Sequence, residues 1–311
     1  MAFAIGVDIG GTKIAAGLVA EDGTLHANLR EPTPEQPLAL QQAVADVVGS
    51  LASQTDVVAV GIAVAGFVST DRSTVVSAPN LALENVALGA WLRERLGLPV
   101  WVENDANAAA WGEHRFGAGR GRDLVCVTVG TGVGGGIVVD GQLVRGHWGF
   151  AAEVGHIPLV PDGLPCPCGS RGCWEQYGSG TALVRYAKER AAADPEAAQA
   201  LLAGAGGDPD QITGDHVTAA ARAGDRVALS CFEEVGDWTG RGLAVLAAVL
   251  DPPMFVLGGG VSDAGPLLIE PTARMLAGLH PTGMGAALGD VCAAELGNEA
   301  GLVGAADLAR P

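Results

Sequence analysis

The chain has 311 residues, of which 49% are hydrophobic and 17% charged, and its formal net charge is −17. That balance excludes a disordered chain, and an acidic protein of this kind lacks the basic stripe of a nucleic-acid binder. At roughly 150 residues per domain, the length predicts two domains and a sizeable buried core.

Residues 3–7 read as an apolar strand rather than a secretory leader, because no cationic region precedes them. The apolar runs 57–68 and 243–250 are too short to cross a bilayer, so no membrane partner and a cytoplasmic location are expected. A second strand, 13–19, closes with the turn Glu21-Asp22-Gly23 before a third near Leu25. Residues 38–53 carry helical periodicity, with Leu40, Val44, Val47, Val48 and Leu51 on one face. The unbroken apolar run 57–64 suits a strand covered on both faces. A short strand at 100–102 leads into a helix at 105–116. Strand 124–129, a glycine loop, strand 137–139 and the turn Asp140-Gly141 then repeat the opening plan. Helices are expected at 181–203, 213–223 and 226–248, and a buried strand at 254–257 runs into Gly258-Gly259-Gly260. Gly17 to Leu25 resembles Gly136 to Leu143 with one residue omitted, and each copy follows a glycine-rich turn. The pattern is an α/β chain with two related halves.

The most concentrated chemistry lies between Glu153 and Glu175. His156, Cys166, Cys168 and Cys173 read H-x9-C-x-C-x4-C. Three thiolates and one imidazole make a tetrahedral zinc set, and four protein ligands fill the coordination shell. Such a metal holds a shape rather than doing chemistry. Disulfides suit small secreted domains, whereas thiols at this spacing in a large chain favour metal. What the metal would position is Glu153, Glu175 and the other side of His156. Cys126, Cys231 and Cys292 lie outside the cluster and read as buried free thiols.

Two glycine turns, Asp8-Ile9-Gly10-Gly11-Thr12-Lys13 and Gly130-Thr131-Gly132, have the makings of phosphate cradles. Glycine lets backbone approach a phosphate closely, and consecutive amides in a tight turn form an anion-binding concavity. Thr12 and Thr131 add hydroxyl donors, and Lys13 adds positive charge. Neither turn is a P-loop, and the second continues as a strand where a dinucleotide fingerprint requires a helix. Asp8, at a strand end facing the first turn, suits Mg²⁺ standing between carboxylate and phosphate.

The segments DIGGTK at 8–13, ENDANAAAWGE at 103–113, VTVGTGVGGGIVVDG at 127–141, EVGH at 153–156 and CPCGSRGC at 166–173 occur in one order. In that order the chain resembles the ROK family of repressors, open reading frames and sugar kinases, from Phe3 to Leu308. Within the family it is most similar to the bacterial ATP-dependent glucokinases. The resemblance implies a duplicated α/β fold of the actin-like ATPase (ribonuclease H-like) class, with two domains and an interdomain cleft. The smaller would hold 1–107 plus 299–311, and the larger 108–298 with the zinc site. It further implies ATP-dependent phosphorylation of D-glucose on its 6-hydroxyl, with ATP, Mg²⁺ and structural Zn²⁺.

By the same resemblance Asp105 is the general base. Asn80, Asn104, Glu153, His156 and Glu175 hydrogen-bond the hexose, and Gly66 allows backbone approach to it. Asp8, Gly10, Gly11, Thr12, Lys13, Thr131 and Gly132 serve ATP and Mg²⁺, with Gly258, Gly259 and Gly260 on the adenosine side. A homodimer or homotetramer is implied as well. Read from the residues alone, Asp105 opens a helix and could equally be its cap, and Glu175 could be an ordinary acid in a first helical turn. His114 takes no role. His147 and Trp148 stand where the family carries smaller residues, as candidates for the site entrance or a subunit contact.

Three other readings stay open. The sugar could be mannose, fructose, N-acetylmannosamine or N-acetylglucosamine. A sugar-responsive repressor would carry a DNA-binding domain ahead of the first strand, for which Phe3 leaves no room, and a more basic charge. A non-catalytic sugar-sensing or nucleotide-binding protein of the family would turn over no ATP.

Overall fold

In strand β1 (Phe3–Ile9) the alternation is one of size rather than polarity, and it recurs in β4 (Val57–Val64). Ile5, Val7 and Ile9 of β1 and Val60, Ile62 and Val64 of β4 join one core cluster. They pack there with Leu40, Val44, Val48 and Leu51 of helix α1 (Pro37–Ala52). The opposite face carries Ala4, Gly6 and Asp8 on β1 and Ala59, Gly61 and Ala63 on β4, as strand alternation requires. Onto that small-residue face packs the C-terminal helix, Ala300–Ala309. A Cβ added at Gly6 would strike the Leu302 carbonyl, and one at Gly61 the Ala305 carbonyl. These two glycines are register partners, so together they open a groove one helix backbone wide. The structure, a computed structural model, describes residues 2–279 and 288–311.

β1 pairs antiparallel with β2 (Lys13–Val19), which pairs antiparallel with β3 (Leu25–Pro32). On its other side β1 pairs parallel with β4, and β4 with β8 (Val100–Asn104), for a sheet order β3-β2-β1-β4-β8. Between β4 and β8 lie a three-stranded antiparallel meander and a helix that the periodicity did not signal. They are β5 (Phe67–Val68), β6 (Val75–Ala78), β7 (Leu83–Val86) and α2 (Leu88–Leu96). Strands of two to four residues are too short to show a period.

Helix α3 (Asp105–Arg115) leads to β9 (Leu124–Val129), β10 (Val133–Val139) and β11 (Gln142–Leu143). Much of the expected glycine loop before residue 137 is strand, because Gly136 packs against Ala110 and the Ala106 carbonyl of α3, where a side chain would not fit. Helices α4 (Glu175–Gly178), α5 (Gly180–Ala193) and α6 (Gln199–Gly204) follow. The single helix expected at 181–203 is broken at Asp194, since the residue before Pro195 disfavours helical geometry. Then come α7 (Gly214–Arg222), α8 (Arg226–Leu250), β12 (Met254–Gly258), α9 (Pro266–Leu279) and β13 (Asp290–Ala293). The C-terminal helix is α10.

The second sheet runs β11-β10-β9-β12-β13, the same order of construction as the first. The half-repeat seen in two hairpins thus extends to five strands in each sheet. By contacts the chain divides into one unit of 1–126, 136–152 and 295–311 and another of 127–135 and 153–294. The cuts expected at 107/108 and 298/299 fall elsewhere than this division, because α3 packs on α10 in the first unit. The expected span 108–298 also includes 280–287, which lie outside the described residues. Among the described residues no helix is long and apolar enough to cross a membrane.

Candidate active site and metal centre

The candidate residues fall into two groups, one in each unit. In the first unit, β8 ends at Asn104 and α3 begins at Asp105. Asn104 is the N-cap: its Oδ1 accepts from Asn107 N at 2.9 Å, and its Nδ2 donates to the Gly66 carbonyl at 3.2 Å. Capping therefore falls to Asn104, and the Asp105 carboxylate one residue on is not spent on it. Burial raises the Asp105 carboxyl above the ordinary range, against hydrogen bonds from the amides of Ala106 and Asp105 itself.

Asp8 lies on the α10 face of β1, where a Cβ at Gly301 would come within 3.7 Å of both its carboxylate and the Asp105 carbonyl. Its carboxyl is pushed up to about 6, first by burial and then by the charge of Asp105, with Lys13 opposing. A buried acid whose ionisation a second acid discourages is a setting in which a cation is welcome, and a carboxylate beside phosphate oxygens suits Mg²⁺.

The adjoining turn is tightly pinned. Gly10 N donates to the Lys13 carbonyl at 3.0 Å, and Thr33 Oγ1 to the Gly10 carbonyl at 2.7 Å. Gly11, Thr12 and Lys13 are exposed, and the nearest atom to a Cβ on Gly11 would be the Asn80 carbonyl at 3.9 Å. Gly66 is a different case: its Cα faces the Ser77 carbonyl and Ala78, so the close approach there is made by β6 of the protein itself.

In the second unit Gly130 N donates to the Gly132 carbonyl at 3.0 Å, closing a turn one residue shorter than the first, and nothing lies within 4 Å of where a Gly130 Cβ would stand. Gly180 N and Thr181 Oγ1 donate to the carbonyls of Gly130 and Thr131, each at 2.7 Å. Gly259 adopts φ +82° against the backbone of Val129, and Val261 N donates to the Val129 carbonyl at 2.9 Å. The Gly258–Gly260 turn is thereby held beside the end of β9, with open space at Gly260.

His156, Cys166, Cys168 and Cys173 converge, their ligand atoms all within 4.8 Å of one another. Sulfurs about 2.3 Å from a tetrahedral zinc lie about 3.8 Å apart. Sγ of Cys168 and Cys173 are 3.7 Å apart, as are Cys166 Sγ and His156 Nδ1. Burial, then the neighbouring thiols, pushes Cys173 up to about 12, whereas a backbone donor at Ser170 lowers Cys168. Three thiolates this close need a cation among them, so the donor set fits zinc in both spacing and charge. His156 turns Nδ1 toward the cysteines, which leaves Nε2 for another partner.

A fully buried Trp174 stands between Cys173 and Glu175, its indole against Gly242 of α8. Glu175 therefore follows directly on a buried anchor, and its Oε2 accepts from Val133 N at 3.1 Å beside Gly132. His156 N donates to the Glu153 carbonyl at 3.1 Å in a single 3₁₀ turn.

Sequence reasoning passed over two buried acids that frame α3. Glu113, fully buried, accepts from Ala118 N at 2.8 Å, Glu295 N at 3.1 Å and Leu296 N at 2.8 Å. It ties α3 to the segment entering α10. Glu103, 3% exposed, meets two arginines. Both sit in the quoted 103–113 segment, where the residue pattern assigned neither of them a role. His114 is a packing histidine, its Nδ1 at 2.9 Å from the Arg122 carbonyl.

The chain matches the ROK family over residues 4–311. It is 53% identical to a glucokinase of Streptomyces coelicolor, over all of this chain and 98% of that one. An N-acetylmannosamine kinase of Citrobacter koseri is 36% identical over 98% of each chain. Among solved structures, a ROK family glucokinase from Streptomyces griseus in complex with glucose and AMPPNP superposes with a TM-score of 0.90. It is 52% identical and covers 98% of each chain. The chain belongs to the ROK family, and its duplicated α/β architecture is the actin-like ATPase fold of that family's sugar kinases.

Proposed function

We propose that this chain is an ATP-dependent glucokinase, moving the γ-phosphoryl group of ATP to the 6-hydroxyl of D-glucose. The likeness to the two Streptomyces glucokinases over nearly the whole chain supports the activity. The observation that carries the mechanism is the division of labour at the start of α3, where Asn104 caps the helix and Asp105 does not.

Asp105 accepts the proton of the 6-hydroxyl as that oxygen attacks phosphorus. A buried carboxylate with a raised pKa is a stronger base than a solvated one, and positioning does most of the remaining work in phosphoryl transfer. Asn80, Asn104, Glu153, His156 Nε2 and Glu175 hold the sugar hydroxyls, with Gly66 shaping the backbone beside them. Carboxylates and amides suit groups that both donate and accept. Gly10, Gly11, Thr12, Lys13, Thr131 and Gly132 bind phosphates, and Gly258, Gly259 and Gly260 receive the adenosine. Asp8 would hold Mg²⁺, which when bound neutralises phosphate charge. His156, Cys166, Cys168 and Cys173 would hold a structural Zn²⁺.

An assay coupling ADP release to NADH oxidation tests the activity, with glucose the best substrate in a panel of hexoses. Asp105→Asn should lower kcat by about 10²–10⁴-fold with the fold intact; normal turnover in the folded variant removes Asp105 as base. The likeness to an N-acetylmannosamine kinase favours a second reading, in which another hexose is the better substrate, and the same panel decides it. A homodimer or homotetramer in the cytoplasm belongs to the same proposal, with light scattering as the check on assembly.

A further inference from the structure

We infer that Glu103 is a positioning residue that holds the Asp105 carboxylate in its working place by clamping the backbone on both sides of it. The inference rests on Asp105 being the base.

Glu103 is the penultimate residue of β8, and its carboxylate is buried at the strand end. Its Oε1 accepts from Asn104 N at 3.1 Å and from Asn107 Nδ2 at 3.2 Å. Those two residues flank Asp105, one before it and one two positions beyond. A single oxygen therefore ties the incoming peptide to the first turn of α3, with Asp105 between the tied points.

The other oxygen anchors the clamp. Oε2 accepts from Arg145 Nε at 2.7 Å and pairs with Arg72 Nε at 3.5 Å. Arg72 is itself held by three bonds or contacts. Its carbonyl accepts from Val102 N at 2.9 Å, its Nη1 donates to the Leu308 carbonyl at 3.2 Å, and its guanidinium lies 5.3 Å from the Trp101 ring centroid. The Arg145 carbonyl accepts from Ala151 N at 3.1 Å, closing the loop that carries His147 and Trp148. Glu103 thus connects the base-bearing turn to β8, to α10 and to the 146–150 loop within one unit.

A carboxylate is needed here because the task requires acceptors only: two donors on one oxygen and guanidinium groups on the other. Glutamine would present an amide NH₂ to the arginines or to the Asn104–Asn107 pair, and one side of the clamp would open. Burial of the site means that no bulk water replaces the lost acceptor.

The test is a double-mutant cycle of Glu103→Gln with Asp105→Asn, followed by single-turnover transfer from labelled ATP to glucose, with circular dichroism to count folded protein. Glu103→Gln alone should lower kcat roughly 10- to 100-fold, as expected for a misplaced catalytic group. KM for ATP should stay within about twofold. In the Asp105→Asn background the same change should have almost no further effect, because the clamp then holds nothing that reacts. A kcat within about twofold of the native value, or losses that multiply in the double variant, overturns the inference. Should Glu103→Gln fail to fold, Arg145→Gln, which leaves Arg72 paired to the carboxylate, is run through the same cycle against the same criteria. If Asp105→Asn is inactive and the clamp variants are normal, only this inference falls. Should Asp105→Asn itself turn over normally, the base assignment and the clamp fall together.

Discussion

Replacing Asp8 by asparagine should stabilise the Mg²⁺-free protein while abolishing its proposed kinase activity. The carboxyl stands at about 6 in the folded chain against an ordinary 3.8, through burial and the nearby Asp105 charge. A difference of about two pH units, at 1.36 kcal/mol each, is on the order of 3 kcal/mol. The value is raised by folding, so the fold favours the neutral acid. The stabilisation belonging to the neutral form is complete below about 3.8 and is lost as pH rises to about 6. At pH 7.5 native Asp8 therefore costs stability, whereas asparagine carries no charge at any pH. For a unit of this size 1 kcal/mol moves Tm by about 2–4 °C, so Asp8→Asn should melt roughly 6–12 °C higher at pH 7.5. Near pH 4 the two proteins should melt together. Thermal melts in Mg²⁺-free buffer without chelator, which spares the proposed zinc, measure both points. The reasoning is refuted if the variant melts no higher at pH 7.5, or if its advantage is the same at both pH values. Glucose phosphorylation should be lost in the same variant, because Asp8 is the proposed Mg²⁺ partner.

Two further outcomes follow from the packing and the metal centre. Elemental analysis should find one zinc per chain, and its removal should expose three additional thiols to a colorimetric reagent and weaken glucose binding more than ATP binding; a fully active, metal-free protein contradicts this. Gly61→Ala places a methyl on the Ala305 carbonyl and should cost about 2–3 kcal/mol as α10 is pushed off the sheet, whereas Gly49→Ala, with nothing within 4 Å, should be neutral or stabilising in chemical denaturation.

The candidate metal ligands were legible because all four lie within 18 residues, and their spacing limits how the loop can close around an ion. The structure adds that His156 Nδ1 faces Cys166 Sγ and that the buried Trp174 stands between Cys173 and Glu175. Asp105 was legible as either cap or base, and only the Asn104-to-Asn107 bond assigns the cap. The paired glycine turns appeared in the residue order, but only the folded chain shows that each is closed by its own backbone bond, from Gly10 N to the Lys13 carbonyl and from Gly130 N to the Gly132 carbonyl. Glu103 and Glu113 were not distinguishable from surface acids, since their partners lie up to 183 positions away.

What residue order alone could determine was chemistry of short range: metal spacing, glycine turns, strand and helix periods, and a family likeness built from such segments. What only the folded chain decided was which acids are buried, which glycine makes room for a helix and which for a ligand, and where one unit ends. Those outcomes depend on contacts between distant segments. The free energy of a buried carboxylate or a missing Cβ is set by the atoms that surround it, and its immediate neighbours in the chain are seldom among them.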